Sequence, residues 1–228
     1  MLRIATFAPV KDPDRSSATA AAAATASSSS SPWRIVVLAS GGGSNAERIA
    51  EHFAAGAVGR VVGVVSDRKL AGVHARAERL GIPSRFVGKR RRSEPGGLLA
   101  VLRGFGAEVI VLAGYLKLVP TDVLAGFPER VINIHPALLP DYGGAGMYGR
   151  HVHEAVAAAG DAYSGMTIHL ADAHYDEGKV LFQARTPLPP GATAEEIAQR
   201  VLALEHRHYP RVLEAYLRAL RGPTDRSS

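Results

Sequence analysis

Two polar side chains stand where apolar ones would be expected. The stretch VINIHPALLP, residues 131–140, begins as a buried strand, because Val131, Ile132 and Ile134 are β-branched and apolar. Asn133 and His135 interrupt that run at alternate positions, and alternate residues of a strand share one face. Pro136 then ends the strand. An amide donor and an imidazole side by side can face one carbonyl oxygen. Acyl transfer needs that arrangement: donors for a developing oxyanion and a group that handles a proton. A third member would hold the imidazole. LADAHYDEGKV, further along, offers Asp172, Asp176 and Glu177, and spacing alone does not choose among them.

A second constellation is the glycine loop LASGGGSNAERI. It follows the first strand and opens the first helix, where backbone N–H groups attract a phosphate and glycines let it approach. Gly41, Gly43 and Ala46 satisfy G-x-G-x-x-A, and Asp67 after the second strand would be the ribose-binding acid of an NAD-dependent oxidoreductase. A tight βα turn is the plainer alternative, and Ser44 with Glu47 reads as a capping box that needs no ligand. Glu47 would repel a phosphate unless it points away. His151 and His153, like His206 and His208, are two apart and do not share a helical face. A metal site is therefore not expected. His169, in TIHLA, is a candidate to line the site beside Asp176, while His52 and His74 read as surface or packing residues.

The elements that must position these residues alternate. Strands are expected at 34–40, 60–66, in SRFVG, at 108–114 and in RVINIH, with helices between them. SGMTIHLA and KVLFQARTPL are two further strands, separated from RVINIH by a Gly-rich loop and the helix HVHEAVAAAG. A closing helical segment, bent or broken near Pro210, follows. Continuous apolar strands alternating with helices specify an α/β fold, a Rossmann-like, mostly parallel sheet with helices on both faces, in a single domain.

Composition bounds the rest. The chain has 228 residues, 46% hydrophobic and 21% charged, an ordinary globular balance. No apolar run is long enough for a transmembrane helix, so no membrane partner is expected. The absence of cysteine excludes disulfides, thiolate metal sites and cysteine nucleophiles, and is compatible with a reducing cytoplasm. The +6 charge comes from 27 Lys and Arg against 21 Asp and Glu. Part of it is one run, Lys89 to Arg92, expected in a solvated loop. Few aromatic residues lie near for stacking bases, so nucleic acid is not expected as a partner. Residues 1–31 are Ala/Ser/Thr-rich and cannot bury a core. They read as a disordered leader, with organellar targeting as the lesser alternative to a cytoplasmic location. The catalytic domain is expected over 32–222 and a disordered tail over 223–228.

SGGGSN, LAGYLKLVP, INIHPALLP and HYDEGKVLFQ, in that order, resemble the motifs of phosphoribosylglycinamide formyltransferases, the folate-dependent enzymes of purine biosynthesis. The resemblance covers roughly residues 34–220, and NIHPALLP is its most specific part. It implies formyl transfer from 10-formyltetrahydrofolate to the amine of 5-phosphoribosylglycinamide, without a metal, in a monomer or homodimer. It makes Asn133, His135 and Asp176 the catalytic residues. It makes Gly43, Ser44 and Asn45 the phosphate loop and gives Glu205 the ribose. Leu116, Lys117, Leu118 and Val119, with Asn133, would line the folate pocket. In the family a Leu-Pro bond, here Leu139–Pro140, is often cis. Two departures stand out: the Gly-rich loop 141–150 is longer than in the shorter members, and Lys179 replaces a common proline. Formyltetrahydrofolate hydrolase would add an N-terminal regulatory domain, and methionyl-tRNA formyltransferase a C-terminal RNA-binding domain. An NAD-dependent oxidoreductase leaves NIHPALLP unexplained.

Overall fold

The computed structural model describes residues 31–221. The leader expected over 1–31, save its last residue, and the tail expected over 223–228 lie outside them. In chain order the elements are β1 (Trp33–Leu38), α1 (Ser44–Phe53), β2 (Gly59–Ser66), α2 (Val73–Arg79), β3 (Ser84–Phe86), α3 (Lys89–Ser93) and α4 (Gly97–Gly104). Then come β4 (Val109–Leu112), α5 (Thr121–Gly126), β5 (Val131–His135), α6 (Arg150–Ala159), β6 (Tyr163–Leu170), β7 (Val180–Pro187) and α7 (Ala194–Leu220).

The strands form one sheet in the order β3-β2-β1-β4-β5-β6-β7. Strands β1 to β5 are parallel, while β6 and β7 add antiparallel pairs. The interior strand β1 is apolar on both faces because helices cover both. Ile35 and Val37 pack with Ile49 and Phe53 of α1 and with Ile197, Val201, Leu213 and Leu217 of α7. Val36 and Leu38 pack with Leu98 and Leu102 of α4 and with Val123 of α5. The chain leaves β1 for β2 on one side and returns to β4 on the other. That reversal opens a crevice at the carboxyl ends of β1 and β4, where open α/β sheets bind ligands.

Three local expectations are corrected. The basic run Lys89 to Arg92 is not a loop but the exposed short helix α3. Of the bend or break expected near Pro210, the break is absent: α7 is one helix from Ala194 to Leu220, and buried Tyr209, Pro210 and Leu213 anchor it by packing, which outweighs one lost helical hydrogen bond. Ser44 and Glu47 form no capping box. The N-cap of α1 is Gly43, in the left-handed region at φ 79° with no side-chain cap, and Glu47 instead pairs with Arg76 and Arg79 of α2. The capping box lies at α7, where Thr193 and Glu196 cap one another.

Candidate active site

Strand β5 ends in the crevice, and β6 runs antiparallel beside it with Asn133 opposite His169. That register sets two polar side chains on one face, and the Asn133 amide nitrogen lies 3.0 Å from His169 Nε2. Beyond the strand, residues 136–140 turn back under tight control. Thr167 Oγ1 donates to the Ala137 carbonyl at 2.7 Å and accepts from the Leu139 N–H at 3.0 Å. Gln183 of β7 donates to the Leu139 carbonyl at 2.9 Å. The Leu139–Pro140 bond is cis.

Of the three acidic candidates, Asp176 is the one brought to the imidazole. Its Oδ2 lies 3.3 Å from His135 Nδ1, and its Oδ1 3.5 Å from His169 Nε2. The Gly144 N–H donates to Oδ2 at 3.1 Å. Asp172 caps its own turn by accepting from the His174 N–H at 2.9 Å, and Glu177 is largely exposed. The backbone explains the choice. Asp176 sits at φ 61°, a conformation that aspartate tolerates better than most residues. Two residues on, a Cβ on Gly178 would lie 1.8 Å from the Leu170 carbonyl oxygen. Only glycine lets the loop fold that closely onto β6 and return its aspartate to the end of β5.

Burial alone would raise the Asp176 carboxyl. Hydrogen bonds from His135 and His169, the charge of His135 and the Gly144 N–H outweigh it, and the group titrates well below the usual carboxylate range. Asp176 is therefore an anion at neutral pH, flanked by two imidazoles. The other nitrogen of His135, Nε2, lies 2.8 Å from the Tyr142 carbonyl oxygen. Both ring nitrogens thus face acceptors.

These residues wall a cavity of about 530 Å³. Leu116, Lys117, Leu118 and Val119 line another part of it, and the Leu116 N–H is pinned to Ser40 Oγ at 3.0 Å. Asn45 and Glu205 also line it, joined by a 2.6 Å hydrogen bond from the amide to the carboxyl. Burial raises the Glu205 carboxyl, against the opposing hydrogen bond from Asn45. Asn45 Oδ1 is enclosed without a partner among the described residues, an acceptor facing no donor of the protein. Gly43 and Ser44 do not line the cavity as Asn45 does. Gly43 has a packing reason of its own, since a Cβ there would lie 2.5 Å from Val73. No group of three or more His, Cys, Asp or Glu among the described residues is arranged to hold a metal ion. Asp67, just after β2, does not itself line the cavity.

Sequence reasoning missed Tyr142 and Gly144, which act through backbone groups and leave no side-chain signal. It also missed Ser40, though a serine directly before the glycines was visible. Tyr209 was missed as well: its buried hydroxyl lies 3.1 Å from both the Leu112 and Ile132 carbonyls, tying α7 to β4 and β5 just before Asn133.

Residues 33–213 match the model of a family described as formyl transferase. A chloroplastic phosphoribosylglycinamide formyltransferase of Arabidopsis thaliana is 44% identical over 182 residues, 77% of this chain and 62% of the relative. Its counterpart in Vigna unguiculata is 43% identical, over 77% and 58%. The chain thus spans about three fifths of the length of these plant relatives. Among solved structures, glycinamide ribonucleotide transformylase 1 of Symbiobacterium toebii superposes with a TM-score of 0.75 at 34% identity, over 82% of this chain and 88% of that one. The phosphoribosylglycinamide formyltransferase of Brucella melitensis gives 0.73 at 37%, over 82% and 96%.

Proposed function

Because the chain belongs to the formyl transferase family, we propose that it transfers the formyl group of 10-formyltetrahydrofolate to the amine of 5-phosphoribosylglycinamide, a step of purine biosynthesis. The observation that carries this reading is the meeting of Asn133, His135 and Asp176 on one cavity wall. A formyl oxygen gains charge as its carbon becomes tetrahedral. The Asn133 amide is a donor for that charge, and the Asp176 anion orients the His135 imidazole beside it. The acceptor's nitrogen attacks directly, so no covalent enzyme intermediate forms, and tetrahydrofolate leaves.

Binding divides along the cavity. Leu116 to Val119 form the folate end, with Asn133 at the reacting centre. Asn45 and Glu205 form the ribose end, where the unpartnered Asn45 Oδ1 accepts a hydroxyl. Gly43 and Ser44, at the uncapped start of α1, hold the phosphate through backbone N–H groups. No resident metal is required. The test is incubation of the purified protein with both substrates and mass spectrometry of the product. Formylated glycinamide ribonucleotide is expected; free formate alone would indicate a hydrolase.

The names of the plant relatives favour an organellar destination over the cytoplasmic one for this chain. A fluorescent protein fused behind residues 1–31 is expected to enter the organelle, and a diffuse cytoplasmic signal would return the reading to the cytoplasm.

A further inference from the structure

The acceptor amine poses a proton problem that His135 does not solve. An α-amino group has a pKa of about 7.7–8.0, so most of it is ammonium at pH 7. Ammonium has no lone pair and cannot attack. Both nitrogens of His135 already face acceptors, Asp176 Oδ2 at 3.3 Å and the Tyr142 carbonyl at 2.8 Å. In that arrangement both ring nitrogens are engaged, and neither is free to receive the amine's proton.

A second imidazole is better placed to receive it. His153, in the first turn of α6, is only 8% exposed, and its ring lines the same cavity as Asn133, His135 and Glu205. Its Nδ1 is enclosed without a hydrogen-bond partner among the described residues, and Nε2 is not so enclosed. The groups around it are Glu195 and Glu205 from α7, His135 from β5, and Arg150 and Glu154 on its own helix. Burial lowers its pKa below the ordinary histidine value; Glu195 opposes that shift and His135 adds to it. The ring is therefore uncharged at neutral pH.

We propose that His153 is a further catalytic residue, which takes through Nε2 the proton that the acceptor's ammonium must shed before attack. This rests on the function proposed above. One N–H bond of the ammonium breaks and its electron pair stays on nitrogen. That pair forms the bond to the formyl carbon, and the bond from that carbon to folate N10 breaks. N10 takes up the second proton lost by the attacking nitrogen, and His153 returns the first to bulk water. Formyl folate and ammonium thus become formamide, tetrahydrofolate and one released proton.

The test is the pH profile of kcat/KM for wild type, His153→Gln and His153→Ala. The wild type must first produce formylated product; if it does not, the proposed function fails and His153 is not at issue. Given activity, His153→Gln is expected to lose about 10²-fold at pH 6.5, within the range of general base help. The loss should shrink to within about 3-fold at pH 9, where the amine is already neutral. Added imidazole should restore part of the His153→Ala rate at pH 6.5. A deficit equal at both pH values, without rescue, would overturn the proposal and leave His153 a packing residue. Activity equal to wild type throughout would overturn it as well.

Discussion

Asp176 illustrates how one residue's role is fixed by its neighbours. Asp176→Asn keeps the shape and removes the charge. If the anion supports His135, kcat should fall by about 10²–10⁴, the usual worth of general acid–base help, while titrations of both substrates stay near wild type. Asp172→Asn and Glu177→Gln should each cost far less, because one caps a turn and the other faces solvent. A dead Asp172→Asn enzyme beside an active Asp176→Asn would reverse the assignment. The same carboxylate links stability to pH. Its folded pKa is depressed below the unfolded value of about 3.9. The stability it contributes is therefore fully present above that value and drains away as pH falls toward the lower folded one. The gap in melting temperature between wild type and Asp176→Asn should be widest near pH 7 and close below about pH 4, as scanning calorimetry would measure.

At the scale of elements, the β1–α1 turn separates two uses of glycine. Gly43 combines positive φ with a Cβ position 2.5 Å from Val73, whereas a Cβ on Gly42 would meet nothing within 4 Å. Gly43→Ala should therefore destabilise the fold by about 1–3 kcal/mol, the range for backbone strain, and it is a poor probe of ligand binding. Gly42→Ala should melt within about 0.5 kcal/mol of wild type. If a phosphate rests on this backbone, that variant's KM for the phosphoribosyl substrate should rise alone. An unchanged KM in folded Gly42→Ala would remove the phosphate from this turn.

The same elements mark what the sequence made legible. β1 and β5 were readable because buried parallel strands are apolar throughout, and Asn133 and His135 stood out against that background for the same reason. Asp176 was not separable from Asp172 and Glu177 by spacing. Its selection depends on a left-handed backbone at 176 and on the contact of Gly178 with the Leu170 carbonyl. The capping box expected at Ser44 failed because Gly43 ends the turn in a left-handed conformation and two arginines of α2 claim Glu47. Neither fact is local in sequence.

Across the whole molecule, the core of the described residues is built from elements between Trp33 and Leu220. A protein beginning at Ser31 should keep its melting temperature within about 2 °C, no more than the shift that 1 kcal/mol produces in a domain of this size, and should keep its turnover. A drop of 10 °C would mean that residues 1–30 pack. α7 is the last of the described elements in chain order and serves both core and cavity. Ile197, Val201, Leu213 and Leu217 cover one sheet face, Glu205 enters the cavity, and Tyr209 ties β4 to β5. On the ribosome, where chains emerge amino end first, every strand is therefore made before the helix that covers them. Until α7 arrives, the nascent sheet carries an apolar face only partly covered by α1 and α6, and a half-built pocket. The polypeptide is at its stickiest just before α7 emerges, and this is the interval in which a holding chaperone would matter most.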